Sequence, residues 1–346
     1  MRIKFHKSGI QKYKETLNIS IRLLLLFCLA VFHFGCAQNH ISPQTETQAL
    51  QIINDALNSD NPIIRINAIE IAATTEQQNF MPRIGQLLQD PYVPVRYASA
   101  LAVGDMQYTP AANTVNQLLR DNDPNVLLAA SYAMVKLGHP EYIQILRDSV
   151  RNNPIQKIKA NAALLLGKAG DRDSIQLLHW LMTDPASSDM VGTSYIGVGY
   201  QAAEALAMLG DVTIIEKLWA MLYNTYGDIQ IAGIRSMGFL GTKDAESSIV
   251  PLLEHEIPEI RLVAAEQLGK MNNQIGQSVV LDIIKGKIDY NPDLQSRERI
   301  NILIALAIGE IRTPNLTKFL PELMKNESPF VRLAAAKSVI QCSPRL

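Results

Sequence analysis

The sequence predicts an all-α protein, a right-handed superhelix of about nine helical hairpins, for three reasons. An Ala-rich segment recurs along the chain at nearly constant intervals. Each copy is followed by a second amphipathic segment whose apolar residues have helical spacing. No segment shows the sustained apolar–polar alternation of a strand. Because one hairpin cannot bury its apolar faces alone, we expect stacked hairpins that share one continuous core.

Each repeat begins with an apolar residue, often followed by a basic one, and continues into an Ala-rich stretch that ends near Gly. The nine copies begin at residues 64, 95, 126, 158, 198, 229, 260, 300 and 331, so the intervals are 31, 32 or 40 residues. This length suits two helices of about 12 residues with their turns. The two 40-residue intervals predict insertions, one near residues 184–194 and one near 285–295.

Residues with known preferences for helix ends separate the predicted helices. Asp90-Pro91 and Asp123-Pro124 precede two repeats, and Asp suits an N-cap while Pro suits the first helical turn. Single glycines predict left-handed C-caps after four first helices, at Gly138, Gly170, Gly210 and Gly241. Small residues inside the first helices would let neighbouring hairpins approach closely, at Ala98, Ala130, Ala162, Ala202, Ala264 and Ala335.

The two ends of the repeat array are incomplete hairpins. Residues 45–57 have the pattern of a second helix without a first one, and we expect this helix to cap the N-terminal end. At the other end, the chain stops inside or just after a first helix, near Cys342. We expect that end of the array to be exposed.

The N-terminal segment predicts export. Basic residues precede a 12-residue apolar run, Leu23 to Phe34, which is shorter than the about 20 residues of a membrane-spanning helix. Gly35-Cys36-Ala37 resembles a bacterial lipobox, which implies lipidation of Cys36. The same small residues also suit ordinary signal peptidase, and an uncleaved anchor is a third possibility. We expect a signal peptide over 1–36, a short linker over 37–44 and one solenoid over 45–346, in a chain exported to the bacterial cell envelope and lipid-anchored to a membrane.

Charge and motif content exclude several functions. Removal of residues 1–36 leaves 26 Lys plus Arg and 32 Asp plus Glu, a net charge of −6, without the basic stripe that nucleic acid needs. The four remaining histidines lie in different repeats, and Cys36 and Cys342 cannot make a disulfide framework. No nucleophile or phosphate-loop motif occurs. We therefore expect no catalytic residues, metal or cofactor, and no nucleic-acid partner.

The repeat itself resembles the HEAT-repeat family, and most closely the variant first described in phycobilin lyases. The segments VRYASALAVGDM from Val95, IRLVAAEQLGKM from Ile260 and VRLAAAKSVIQC from Val331 carry the resemblance, which extends over residues 45–346. It implies an α-α superhelix. Some relatives are enzymes, so an enzyme or an enzyme's accessory subunit, with its substrate in the groove, is the alternative to a binding scaffold. The His-Glu pairs that hold two irons in deoxyhypusine hydroxylase have one counterpart, His255-Glu256.

The resemblance also implies a role for the basic residue that follows each repeat start. Such residues often pair with acids of the preceding turn, for which Asp60, Asp90 and Glu327 are candidates. A bracing ladder is the main interpretation, and a ligand-binding row is the alternative. The residues concerned are Arg65, Arg96, Lys159, Arg261 and Arg332.

A candidate partner-binding groove follows from the repeat register. We expect the second helices to line the concave face, with equivalent positions about 10 Å apart. Arg147, His179 and Trp219 occupy one such position, and Tyr223 lies one turn after Trp219. Arg and Trp are favoured at interfaces, so this row predicts a site for a protein or peptide. The alternative is that Trp219 fills a gap between hairpins. The sequence does not predict an oligomeric state.

Overall fold

A computed structural model describes residues 41–183, 197–287 and 293–344, all of them in helices and connecting turns. Cys36, the insertion near 184–194 and part of the insertion near 285–295 lie outside the described residues. The α-helices are α1 Pro43–Leu57, α2 Pro62–Thr74, α3 Met81–Leu87, α4 Val93–Asp105, α5 Ala112–Leu118, α6 Pro124–Lys136, α7 Ile143–Asn152, α8 Gln156–Ala169, α9 Ile175–Thr183, α10 Val198–Met208, α11 Ile215–Leu222, α12 Gly227–Leu240, α13 Lys243–Ile249, α14 Pro258–Lys270, α15 Gln277–Ile284, α16 Leu294–Ile311, α17 Pro314–Thr317, α18 Leu320–Leu323 and α19 Pro329–Cys342.

The predicted hairpins are confirmed. The long, Ala-rich first helices are α2, α4, α6, α8, α10, α12, α14, α16 and α19. The shorter second helices follow them, and most begin with a 3-10 turn: Gln78–Phe80, Thr109–Ala111, Pro140–Tyr142, Arg172–Ser174, Val212–Ile214 and Gln274–Gly276. Val250–Glu254 extends the second helix α13 as a further 3-10 turn. None of the described helices is both long and apolar enough to span a membrane.

Left-handed residues end the first helices, as the glycine positions predict. The φ angles are 98° at Gly138, 78° at Gly170, 74° at Gly210 and 65° at Gly241. The same register position is left-handed in four repeats that lack Gly there, at Glu76, Gln107, Asn272 and Arg312. The turn is therefore set by the architecture, and Gly is the residue that adopts it without steric penalty.

Consecutive first helices touch backbone to backbone. A Cβ added to Gly167 of α8 would lie 2.7 Å from Cα of Ala205 on α10. One added to Gly104 of α4 would lie 2.9 Å from Cα of Ala133 on α6. Only glycine allows this approach, because any side chain would separate the two helices.

The first helices lie on the inside of the curve. Each contacts the first helix of the next repeat, whereas second helices of consecutive repeats barely touch, except α7 with α9 and α15 with α17. Side chains even join repeats two apart, since Tyr97 Oη donates to Asn161 Oδ1 at 2.6 Å and Lys168 Nζ lies 2.9 Å from Asp105 Oδ2. The expectation that second helices line the concave face is wrong. Small residues let neighbouring first helices pack closely, so the first helices form the inner layer and the second helices lie farther apart in the outer layer.

The repeat array closes on itself. Helix α1 packs between α19 and α2, and α19 also contacts α2. The N-terminal second helix thus completes the hairpin of the C-terminal first helix. The expected N-terminal cap and exposed C-terminal end are both corrected, because each unpaired helix covers the apolar face of the other. Ala49 and Ile53 of α1 and Ala335 and Val339 of α19 are fully buried. We call the contact between α1 and α19 the seam.

Candidate partner-binding surface

The predicted row on the second helices contains two side-chain links between repeats, an ion pair and a hydrogen bond. Arg147 on α7 donates to both carboxylate oxygens of Asp171, from Nε at 2.9 Å and from Nη2 at 2.6 Å. His179 on α9 places Nε2 2.7 Å from Oδ2 of Asp211. In both pairs the acid belongs to the turn of the next repeat.

Both acids are stabilised in their charged form. Burial acts to raise the pKa of Asp171, but hydrogen bonds from Arg147 and Ser174 outweigh it and the pKa is lowered. For Asp211, burial is likewise outweighed, by hydrogen bonds from Thr213 and His179, and its pKa is also lowered. Arg147 and His179 therefore act as braces between hairpins.

Trp219 and Tyr223 are more accessible. The indole Nε1 of Trp219 donates to Oγ of Ser248 at 2.8 Å, so this residue also reaches the next repeat, yet its side chain is 42% exposed. Tyr223, at the end of α11, is 76% exposed. The row thus lies on the outer face rather than in a groove, and its aromatic members are those available to a partner. Its role in binding stays a prediction.

The exposed aromatic residues not singled out from the sequence are Trp180, Tyr226, Tyr92 and Phe239, of which the first two closely follow members of the row along the chain. Trp180 follows His179 on α9 and is 46% exposed, with Lys159 Nζ 5.6 Å from the ring centroid. Tyr226 is the N-cap of α12 and is 48% exposed. The sequence offered a signal for Tyr226. A tyrosine at an N-cap leaves a backbone N–H of the helix without its side-chain acceptor, which lowers the stability of the protein by about 0.5–2 kcal/mol. We name Trp180, Trp219, Tyr223 and Tyr226 the outer aromatic residues.

The concave side of the second to fourth repeats is occupied by polar links. Tyr132 donates to Asp105, which also pairs with Lys168, and burial is the main cause that raises the pKa of Tyr132. Burial likewise raises the pKa of Tyr97 to about 12, and its acceptor Asn161 in turn donates to Asn125 at 3.0 Å. These neutral tyrosines act as donors that hold three first helices together.

Across the described residues, no group of three His, Cys, Asp or Glu side chains is placed to hold a metal ion. Cys342 is a buried free thiol whose pKa is raised to about 11, chiefly by burial.

Part of the repeat array is similar to a known repeat family. The HEAT repeats family model matches residues 81–164, which span the second helix of the first repeat, the second and third repeats, and the first residues of the fourth. No curated protein matches the chain significantly.

Solved structures with similar folds include three from different settings. The complex of CpcE and CpcF of phycocyanin lyase from Nostoc sp. PCC7120 matches with 18% identity and a TM-score of 0.44, covering 74% of this chain and 93% of that chain. Human deoxyhypusine hydroxylase matches with 15% identity and a TM-score of 0.36, covering 78% and 96%. Kap121p bound to Nup53p matches with 14% identity and a TM-score of 0.34, covering 84% and 37%.

Proposed function

We propose that this protein is a non-catalytic binding scaffold of the bacterial envelope, anchored through a lipid on Cys36, which holds a protein or peptide partner on its outer aromatic residues. One observation carries the proposal. Both tryptophans of the chain are nearly half exposed, on the consecutive second helices α9 and α11.

The physical cost of that exposure supports a binding role. Burying a large aromatic side chain contributes roughly 1.5–3 kcal/mol, and a protein with few aromatic residues would be expected to place them in its core. Instead Trp180 and Trp219 are on the surface, and Tyr223 and Tyr226 follow at the end of the same hairpin. Trp and Tyr are the residues most often responsible for affinity at interfaces.

The neighbouring polar groups make this part of the surface stiff. Arg147 and His179 are fixed to the next repeat, and Trp219 is held by its bond to Ser248. A pre-organised aromatic surface loses little conformational entropy when a partner binds. This combination suits a stable scaffold.

Site-specific photo-crosslinking in intact cells tests the binding surface. A benzophenone amino acid in place of Tyr223 is expected to give a discrete crosslinked protein, which mass spectrometry then identifies. The same probe at Asp244, an exposed acid at the start of α13, is the control. Absence of a band at 223, or an equal band at 244, would contradict the proposal.

Metabolic labelling tests the anchor separately. Radioactive palmitate is expected to label the protein, and Cys36→Ala is expected to abolish the label and release the protein from the membrane fraction. Retention of Cys36→Ala in the membrane would refute lipid anchoring without bearing on the partner surface.

A further inference from the structure

In the described residues, the turns before seven of the nine first helices contain the same hydrogen bond. A side chain five residues before the repeat start accepts from the backbone N–H two residues later. The acceptor and donor residues are Ser59 and Asn61, Asp90 and Tyr92, Asp121 and Asp123, Asn153 and Ile155, Asn224 and Tyr226, His255 and Ile257, and Asn326 and Ser328. We name this acceptor the turn residue.

An aspartate at the turn residue has a second role. Arg65 binds Asp90 of the next repeat through Nη2, 3.0 Å from Oδ1 and 2.9 Å from Oδ2. Arg96 binds Asp121 of its next repeat through two nitrogens, with Nε 2.8 Å from Oδ2 and Nη2 3.0 Å from Oδ1. Each arginine also donates through Nη1 to a carbonyl of its own preceding turn. The family resemblance implied an acid from the turn that precedes the arginine. In the structure, the acid comes from the turn that follows it.

Arginine and aspartate occur together along the array. Apart from Ser59, four turn residues are not acidic, and the residue at the arginine position of the repeat before each is not basic. These pairs are Leu127 with Asn153, Gly199 with Asn224, Gln230 with His255 and Asn301 with Asn326. The turns after Lys159 and Arg261 coincide with the insertions and are not described in full.

The seam breaks this rule. Arg332 occupies the arginine position in α19. Its Nη1 donates to the carbonyls of Asn326 and Glu327 at 2.8 Å each, as Arg65 and Arg96 donate to carbonyls of their own preceding turns. Because the array is closed, the next turn residue is Ser59, which carries no charge. None of the ion pairs among the described residues includes Arg332. Its guanidinium therefore lacks the carboxylate that Arg65 and Arg96 have.

A cavity lies where that carboxylate is missing. It measures about 200 Å³ and is lined by both Ser59 and Arg332. Asp55 provides a second charge in the wall, and one of its oxygens accepts from Gln51 at 2.7 Å. The remaining lining is largely aliphatic, from Ile52, Ile64 and Leu333 among others.

We propose that this seam cavity binds the zwitterion of a small aliphatic amino acid such as leucine. Arg332 receives the carboxylate in the place that Asp90 and Asp121 take in other repeats, and such charge-assisted pairs are strong and directional. Asp55 receives the ammonium group. The aliphatic wall receives the side chain, and since a cavity of about 150 Å³ can hold benzene, the space suits leucine. This site is separate from the outer aromatic residues.

Isothermal titration calorimetry on the full-length protein tests the site. L-Leucine is expected to bind saturably, and to raise Tm by about 2–4 °C at saturation, because a ligand of the closed seam stabilises the folded state. 4-Methylpentanoate lacks the ammonium, 3-methylbutylamine lacks the carboxylate, and both are expected to bind at least about tenfold more weakly, the loss of one charged contact. No heat with leucine, or equal affinity for 4-methylpentanoate, would overturn the proposal.

Ser59→Asp provides a test that does not depend on a destabilised variant. The new carboxylate would occupy Arg332 as Asp90 occupies Arg65, and we expect Tm without ligand to rise by about 2–4 °C and leucine binding to be lost. Ser59→Ala is the matched control and should retain leucine binding. Unchanged leucine affinity in Ser59→Asp would show that Arg332 is not the ligand's partner and would overturn the assignment.

Discussion

Adding one methyl group between two first helices should destabilise the protein measurably. A Cβ at position 167 would lie 2.7 Å from Cα of Ala205 and 2.9 Å from its carbonyl oxygen, and ordinary contact begins at 3.4 Å. Helices α8 and α10 would therefore have to separate by at least 0.7 Å, the difference between these distances. Backbone atoms cannot move aside as a flexible side chain can, so we expect an overpacking penalty of about 3 kcal/mol.

The helix preference of alanine opposes this penalty. Gly→Ala in a helix interior gains about 1 kcal/mol, which leaves Gly167→Ala less stable than the wild type by about 2 kcal/mol. Gly85→Ala on α3 is the matched control, because its added Cβ meets nothing nearer than 3.7 Å. That variant should equal or exceed the wild type in stability.

Urea unfolding followed by far-UV circular dichroism measures both variants. Repeat arrays can lose two-state behaviour, so the midpoints are compared only if the m-values agree. The expected order is Gly85→Ala at or above wild type, and Gly167→Ala clearly below. If Gly167→Ala is as stable as Gly85→Ala, the close approach of the first helices is refuted.

Four further substitutions test the turns, the ion pairs and the surface. Gln107 and Gly170 both have left-handed backbone conformations. Gln107→Gly should therefore raise the free energy of unfolding by about 0.5–1 kcal/mol, and Gly170→Ala should lower it by about 1–2 kcal/mol. Thermal unfolding measures both variants, and the opposite order of stability would contradict this prediction. The hydrogen bond from Arg96 lowers the pKa of Asp121, so the stability from this pair is complete above the unfolded pKa of about 4 and is lost as pH falls through the lower folded pKa. Arg96→Met should therefore lower the free energy of unfolding by about 1–2 kcal/mol at pH 7 and change it little near pH 2, as measured by urea titration. A loss of stability that persists at pH 2 would exclude this mechanism. Tyr223→Ala should change stability by less than about 0.5 kcal/mol yet abolish co-purification of the partner with the protein, and unchanged co-purification would count against the surface.

Local features of the fold could be predicted from the sequence because they depend on neighbouring residues. The hairpins follow from the spacing of apolar residues, and the C-caps at Gly170 and Gly210 follow from the conformations that only glycine adopts easily. Gln107 was not predicted to be left-handed, since nothing in its identity distinguishes it from a residue in a helix.

The direction of curvature could not be read from the helix pattern, since both helices of a hairpin have apolar faces. It depends on which layer packs more closely, and Gly104 and Gly167 carry that information. They lie inside first helices, where glycine is unfavourable by about 1 kcal/mol, and this cost was the available signal. The expected groove was placed on the second helices, which form the outer layer.

Closure of the array depends on residues that are far apart in the sequence. The pairs at the candidate site depend on residues of the next repeat. The sequence contains two incomplete hairpins, but periodicity does not indicate that residues 43–57 meet residues 329–342. Likewise Asp171 and Asp211 have the pattern of ordinary turn residues. Their pairing with Arg147 and His179 follows from the stacking of one hairpin on another.

Closure of the array is most directly tested by one distance. Asn58 and Lys325 are both exposed and each lies six residues before a repeat start, so closure makes them equivalent positions in adjacent repeats. Spin labels at Asn58→Cys and Lys325→Cys, in full-length protein whose three native cysteines are replaced by serine, can be measured by double electron–electron resonance. Adjacent repeats are about 10 Å apart, so a closed array with flexible labels predicts a distance below about 30 Å. A distribution centred beyond about 50 Å would show an open solenoid and contradict the closed ring.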